Sequence, residues 1–156
     1  KWDTTPTGCQ HIVVEANHIH HVLQKLSDGG GIYTLGRQPD SSLVNNHIHD
    51  IPVNLGRAES NGIFLDEGSS EIEVRGNVIH NLERSPIRFH KATNVTVMKN
   101  WLVSPPKVPA FRYNNAREAE MQISDNQLIE ATQWQPPAGA LPKELGIGEL
   151  PVGSQG

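Results

Sequence analysis

The segment Ile72-Glu73-Val74-Arg75-Gly76-Asn77-Val78-Ile79 decides the fold, because its pattern, V-x-V-x-x-N-x-I, recurs along the chain. The other copies, two of them weaker, share the asparagine and most of the apolar residues; they are residues 12–19, 41–48, 95–102 and 121–128. The asparagines stand at positions 17, 46, 77, 100 and 126, which gives steps of 29, 31, 23 and 26 residues. Short strands repeated at this period predict a parallel β-helix, in which each coil stacks on the previous one.

A second pattern, small-apolar-x-apolar, lies between the copies of the first. It occurs at residues 31–34, 62–65, 86–89 and 110–113. Ile32 precedes Asn46 by fourteen residues and Ile63 precedes Asn77 by the same number, so the coils are in register across this pair. Two patterns in each repeat indicate several strands per coil.

The period-2 alternation of strands predicts which side chains face the core. Ile72, Val74 and Ile79 should point inward, and Asn77 should mark a corner, where its amide can bond backbone groups left unpaired by the bend. The second pattern places two rows of side chains on the outer surface. They are Tyr33, Phe64, Arg88 and Arg112, followed by Leu35, Asp66, His90 and Asn114.

The chain is therefore predicted to be all-β, a solenoid of about five parallel coils over residues 1–131. Residues 132–156 lack the pattern and are rich in proline and glycine, which predicts a C-terminal tail or cap in which Trp134 and Leu141 cover the open end. The repeat is already in progress near Lys1, so we expect preceding coils of a longer parent chain as a partner of this one.

Composition excludes several functions. With 13 Lys and Arg against 17 Asp and Glu, the formal net charge is -4, so the basic surface of a nucleic-acid binder is missing. No apolar run approaches the roughly 20 residues of a membrane-spanning helix. Cys9 is the only cysteine, which excludes an internal disulfide and a cysteine-based zinc cage.

Two segments set carboxylates beside glycines at the edge of a strand, and these carry the candidate chemistry. They are residues 27–36, with Asp28, and residues 61–70, with Asp66 and Glu67. Hydrolysis of a glycosidic bond needs two carboxyls facing one groove, and stacked coils can supply them. The alternative is that these acids only form turns. Asp66 stands out because, in the outward row of Leu35, Asp66, His90 and Asn114, it occupies the position of His90 on the preceding coil.

Histidines also recur at equivalent positions of successive coils. His20, His49 and His80 each follow a repeat asparagine by three residues, and His18 and His47 lie two residues before two of them. Imidazoles on neighbouring coils could hold a transition metal, make backbone hydrogen bonds in a half-buried stack, or bind sugar hydroxyls. Because the motif is typical of a repeated structural corner, the sequence predicts no metal and no cofactor.

Aromatic side chains are candidates for stacking on the apolar face of a sugar. Tyr33 and Phe64 are favoured because their row is predicted to face outward, whereas Trp134 is expected to pack in the cap. For Trp101 core packing and sugar stacking stay equally open.

Residues 28–36, 46–51 and 62–70 together resemble the core of right-handed parallel β-helix proteins similar to glycoside hydrolase family 141. The resemblance spans about residues 10 to 103. It implies a secreted bacterial enzyme that acts on plant cell-wall glycans, with fucosidase and xylanase activities in the family. It also implies two catalytic aspartates on neighbouring coils, which correspond to Asp28 and Asp66.

The register limits how these two acids can pair. The counterpart of Asp28 on the next coil is Glu59, so Asp28 and Asp66 meet only if the loop curls inward, and Glu59 or Glu67 would otherwise replace one of them. The residues expected to position the sugar are Tyr33, Arg88, His90, Glu67, Glu59, His49 and His80.

The predicted function is hydrolysis of a plant cell-wall or other complex polysaccharide by Asp66 and Asp28 on adjacent coils. Two alternatives stay open. One is a polysaccharide lyase or epimerase in which Arg88 or a histidine removes the proton next to a uronate carboxyl. The other is a non-catalytic solenoid that only binds glycans.

Overall fold

The computed structural model describes residues 2–53, 56 and 58–135, and this part of the chain winds through three parallel sheets in turn. Sheet A contains β1 (Val13–Glu15), β4 (Arg37–Val44), β7 (Ser70–Arg75), β10 (Thr93–Met98) and β13 (Met121–Ser124). Sheet B contains β2 (His18–His20), β5 (His47–Ile51), β8 (Val78–Leu82), β11 (Trp101–Ser104) and β14 (Gln127–Glu130). Sheet C contains β3 (Gly29–Thr34), β6 (Ser60–Leu65), β9 (Ile87–His90) and β12 (Phe111–Asn114). Short 3₁₀ helices span Glu118–Glu120 and Ala131–Gln133.

Each strand pairs in parallel with the strand one coil away. Ile72 aligns with Val95 in sheet A, and Ile48 aligns with Ile79 in sheet B. In sheet C, Phe64 aligns with Arg88. Because like positions stack on one another, the parallel β-helix and the predicted register are confirmed.

The core is a column of apolar side chains between the three sheets. Ile63, Val74 and Ile79 are fully buried, as the alternation predicts. Burial of apolar surface stabilises the fold by roughly 25 cal/mol per Å² removed from water, so these inward columns are the main source of stability.

The repeat asparagines form a continuous ladder at the corner between sheets A and B. The amide nitrogen of Asn46 donates to Asn77 Oδ1 (3.0 Å), and that of Asn77 donates to Asn100 Oδ1 (2.9 Å). The same nitrogen of Asn77 also donates to the carbonyl of Leu43 (2.9 Å). The ladder therefore satisfies the buried polar groups of one coil with the side chain of another.

Every asparagine of the ladder follows a residue in the left-handed region. The φ angles of Ala16, Asn45, Gly76, Lys99 and Asp125 are 55°, 54°, 67°, 55° and 56°. Glycine, asparagine and aspartate adopt this conformation readily, whereas alanine and lysine adopt it at a cost of about 1 kcal/mol. The stacking of the coils therefore imposes this left-handed turn, even at Ala16 and Lys99, whose residue types do not favour it.

Gly62 lies where the backbone of sheet C approaches the side chains of sheet B. Because a larger residue would crowd these atoms, Gly62→Ala is expected to lower the free energy of unfolding by about 1–3 kcal/mol. A Cβ atom there would lie 2.4 Å from Ile79 Cγ2 and 2.7 Å from the carbonyl oxygen of Pro86. Gly8→Ala is the matched control, because its Cβ would meet no atom within 4 Å. Urea unfolding of both variants measures the difference, and equal midpoints would contradict the close approach.

The sequence predicts that Trp134 and Leu141 cover the open end of the solenoid, and Leu141 lies outside the described residues. Trp134 packs against the rings of His80 and Trp101, with centroids 5.6 and 5.9 Å away. Both partners project from the outer side of sheet B, so Trp134 covers a lateral face. Among the described residues, no helix has the length and apolar character that crossing a bilayer requires.

Candidate active site

The candidate site lies on the outer side of sheet C, at the end of its strands. There the chain turns through residues 66–69, and the backbone N–H of Ser69 donates to the carbonyl of Asp66 (2.9 Å). Gly68, at the third position of the turn, has a φ of 81°, which glycine adopts without strain. This turn presents Asp66 and Glu67 next to the corresponding strand end of the following coil.

Asp66 is held between side chains from two neighbouring coils. The hydroxyl of Tyr33 donates to Asp66 Oδ2 (2.5 Å), and His90 Nδ1 donates to Asp66 Oδ1 (2.7 Å). The side chain of Asp66 is 15% exposed, so only a small part of it is accessible to solvent. The predicted convergence of Asp66 and His90 in one outward row is confirmed.

Hydrogen bonds keep Asp66 ionised. Burial alone would raise the pKa of Asp66, but the hydrogen bonds from Tyr33 and His90 and from the backbone N–H of Glu67 hold it below its ordinary value. Burial, and then the hydrogen bond to Asp66, raise the pKa of Tyr33, and the charges of Asp28 and Glu67 raise it further. The Tyr33 hydroxyl therefore remains a protonated donor close to three carboxylates.

Arg88 contacts Asp28, which directly precedes β3, whereas Asp66 directly follows β6. The Nη1 of Arg88 lies 3.5 Å from Asp28 Oδ1, and its Nε donates to Asn114 Oδ1 (3.1 Å). The backbone N–H of Asp28 donates to the carbonyl of Glu59 (3.1 Å), which confirms the predicted register of these two residues. The side chain of Asp28 is 62% exposed and is the most accessible acid of the group.

The prediction that Phe64 is available for stacking on a sugar is wrong. The guanidinium carbon of Arg88 lies 4.2 Å from the centroid of the Phe64 ring, and Tyr33 packs edge-on against the same ring. These contacts leave Phe64 only 1% exposed. Tyr33 retains 45% exposure, so it is the aromatic side chain of this row that can meet a ligand.

The remaining acids of this face form ion pairs. Glu67 Oε1 lies 2.8 Å from Lys91 Nζ and 3.9 Å from His90 Nε2. Glu59 Oε1 lies 3.5 Å from Arg112 Nε, in the row beside Arg88. Sequence reasoning missed Lys91, although its position directly after His90 places it at the same strand end.

Two predicted substrate-binding residues, His49 and His80, lie elsewhere. They belong to a histidine cluster on the outer side of sheet B, made up of His18, His20, His47, His49 and His80. In this cluster His18 Nε2 faces His49 Nε2 at 2.7 Å, and His47 Nε2 faces His80 Nε2 at 2.8 Å.

The surroundings of His47 and His80 favour the neutral form of these two imidazoles. Burial, and then the neighbouring histidines, lower the pKa of His47 to about 3. Burial, and then His49, lower the pKa of His80 to about 4. A neutral imidazole has a free ring nitrogen, so these side chains can accept a hydrogen bond or bind a metal ion.

Sequence reasoning also missed Asp50, which supports the histidine cluster. Its Oδ2 accepts from His49 Nδ1 (2.7 Å), and its Oδ1 accepts from the amide of Asn81. Asp50 and Asn81 both have a positive φ, 55° and 52°, which turns their side chains along the outer surface. Alternation alone gives no signal of this contact, because the positive φ breaks the regular strand geometry.

Three parallel sheets around an apolar core, joined by stacked corners, define the chain as a parallel β-helix protein with a polar outer face on sheet C. The chain belongs to the family described as right handed beta helix region, whose model matches residues 7–132. This match confirms the right-handed parallel β-helix. The fold occurs in polysaccharide-degrading enzymes and in other proteins. No curated protein and no solved structure gives a significant match to the chain.

Proposed function

We propose that the protein is a secreted glycoside hydrolase that acts on a plant cell-wall or other complex polysaccharide at the outer face of sheet C. The observation that carries the proposal is the Asp66 carboxylate, fixed between Tyr33 and His90 and held ionised. Such a group serves as nucleophile or as the base that activates water. The motif resemblance to glycoside hydrolase family 141 supports the same assignment.

The second carboxyl of the mechanism is Asp28. Its exposed side chain lies beside Arg88, and its charge acts on the Tyr33 hydroxyl that bonds Asp66. We assign to it the donation of a proton to the oxygen of the leaving sugar. Arg88 offers hydrogen-bond donors to sugar hydroxyls, the Tyr33 oxygen can accept from them, and the exposed ring of Tyr33 offers an apolar surface. Glu59 and Glu67, each paired with a cation, border the binding face.

A second candidate is a polysaccharide lyase or epimerase, and the contact between Asp66 and His90 favours it. Because His90 Nδ1 donates to Asp66, a neutral His90 has its lone pair on Nε2 and can act as a base. Arg88 is a poor base here, since its guanidinium is engaged by Asn114 and Asp28. It would instead bind the carboxylate of a uronate.

The products of the reaction distinguish these functions. We expect incubation of the protein with pectic and xylan substrates to release new reducing ends without the ultraviolet absorbance of unsaturated uronides. Reducing ends accompanied by that absorbance would replace the hydrolase with a lyase based on His90. Altered mobility of the protein in a polysaccharide-containing gel, with no product of either kind, would instead indicate a glycan-binding solenoid.

A further inference from the structure

The histidine cluster on sheet B brings ring nitrogens from neighbouring coils into one small volume. One nitrogen from each of His18, His47 and His49 lies within 4.8 Å of the other two. The parallel register produces this grouping, because His18 pairs with His47 across β2 and β5, and His49 follows His47 by two residues on the same face. The cluster lies on a different sheet from Asp66 and takes no part in the proposed hydrolysis.

We propose that His18, His47 and His49 bind a transition-metal ion of the Zn²⁺ class, in contrast to the prediction from sequence alone, which assigned no metal. Imidazole nitrogens suit zinc, copper, nickel and cobalt, and three of them leave a coordination position for water or another oxygen ligand. Oxygen-seeking cations such as Mg²⁺ are disfavoured by the same ligand set.

Asp50 gives the cluster the supporting contact that metal-binding histidines usually have. A carboxylate that accepts from one ring nitrogen fixes the tautomer and leaves the other nitrogen free for the metal. Asp50 makes this contact with His49 Nδ1, while His49 Nε2 faces His18. Asn81 holds the second oxygen of Asp50, so the carboxylate is itself oriented.

His47 supplies a second, independent observation. It is 3% exposed, and its Nδ1 has no hydrogen-bond partner. This buried nitrogen is thus not committed to another protein group and is free to bind an ion.

Binding requires a small rearrangement that His18 can accommodate. Two nitrogens on a tetrahedral zinc ion are separated by about 3.3 Å, given metal–nitrogen distances of about 2.0–2.1 Å. The present separation of His18 Nε2 and His49 Nε2 is 2.7 Å, and the rings of His18 and His47 are stacked with centroids 4.8 Å apart. Because His18 is exposed on the edge strand β2, its ring can tilt to open this space.

Zinc titration by calorimetry tests the proposal, with Mg²⁺ as a control ion. We expect one equivalent of Zn²⁺ to bind the wild-type protein, and Co²⁺ to give the visible absorption of a nitrogen-ligated site. His18→Asn should weaken Zn²⁺ binding by about tenfold or more, and Asp50→Asn by about 10–100-fold.

His11→Asn is the matched control, because His11 is an exposed histidine outside the cluster and its φ of 55° suits asparagine. It should leave Zn²⁺ affinity unchanged. Thermal unfolding without metal checks that the variants remain folded, and Asp50→Asn, which keeps all three ligands, provides the test if His18→Asn unfolds. Absence of stoichiometric Zn²⁺ binding, or equal affinity in the wild type and in the folded cluster variants, would overturn the proposal.

Discussion

Asp66→Asn is expected to lower kcat on the polysaccharide by about 10²–10⁴-fold, because it removes the ionised carboxylate that serves as nucleophile or base. Asparagine has nearly the same size as aspartate and can still bond Tyr33 and His90, so the fold should persist. The measurement is the initial rate of reducing-end release by the two proteins at equal concentration, after circular dichroism has shown equal folding.

Asp125→Asn is the control for this substitution. Asp125 occupies an exposed corner between sheets A and B, away from sheet C, and its φ of 56° is accessible to asparagine. It should retain wild-type activity. Activity of Asp66→Asn within a factor of about three of wild type would remove Asp66 from the catalytic role, since loss of a positioned base costs at least about 10²-fold.

Asp28→Asn tests the role of Asp28 as proton donor separately from the role of Asp66 as nucleophile or base. An activated aryl glycoside needs no proton on its leaving group, so Asp28→Asn should retain much of its rate on such a substrate while losing it on the polysaccharide. Asp66→Asn should lose both activities. Equal losses on both substrates for Asp28→Asn would argue against Asp28 as the proton donor.

Asn77→Ala is expected to lower the free energy of unfolding by about 2–5 kcal/mol, since each buried polar group left without a partner costs about 1–3 kcal/mol. Asn77 is fully buried, and Asn77 Oδ1 accepts from the backbone N–H of Asn46 (2.9 Å). Its amide nitrogen donates to the carbonyl of Leu43 (2.9 Å). Alanine removes these two bonds and also those with Asn46 Nδ2 and Asn100 Oδ1, and water cannot reach the groups that remain.

Asn17→Ala is the comparison within the same ladder. Asn17 is exposed, and its amide nitrogen donates to the carbonyl of Glu15, which solvent can hydrate in the variant. The expected loss is below about 1 kcal/mol. Chemical unfolding of both variants gives the difference, and equal losses would show that the interior of the ladder adds no more than its end.

Most of the fold could be predicted from the repeat, because strand pairing in a solenoid places like positions on top of one another. The asparagine of each copy, the inward positions such as Ile72 and the alignment of Asp28 with Glu59 all follow from counting residues. The left-handed turn before each asparagine could not be predicted, because Ala16 and Lys99 carry no signal for it.

The candidate site was predictable only where it depends on register. The contact between Asp66 and His90 follows from their shared row, whereas the burial of Phe64 depends on the path of the Arg88 side chain across a neighbouring coil. The role of Asp50 depends on a positive φ inside a strand region. Such features arise from side-chain packing between coils, and a single sequence does not encode them in its spacing.

The connections from sheet B to sheet C differ in length while the corners stay the same. One connection runs from Ile51 to Ser60 and another from Leu82 to Ile87, yet the strands on either side remain paired in register. The solenoid is therefore modular for protein engineering, since a connection can be lengthened or exchanged to reshape the surroundings of a site. The inward apolar columns and the asparagine ladder, which stabilise the fold, would remain unchanged.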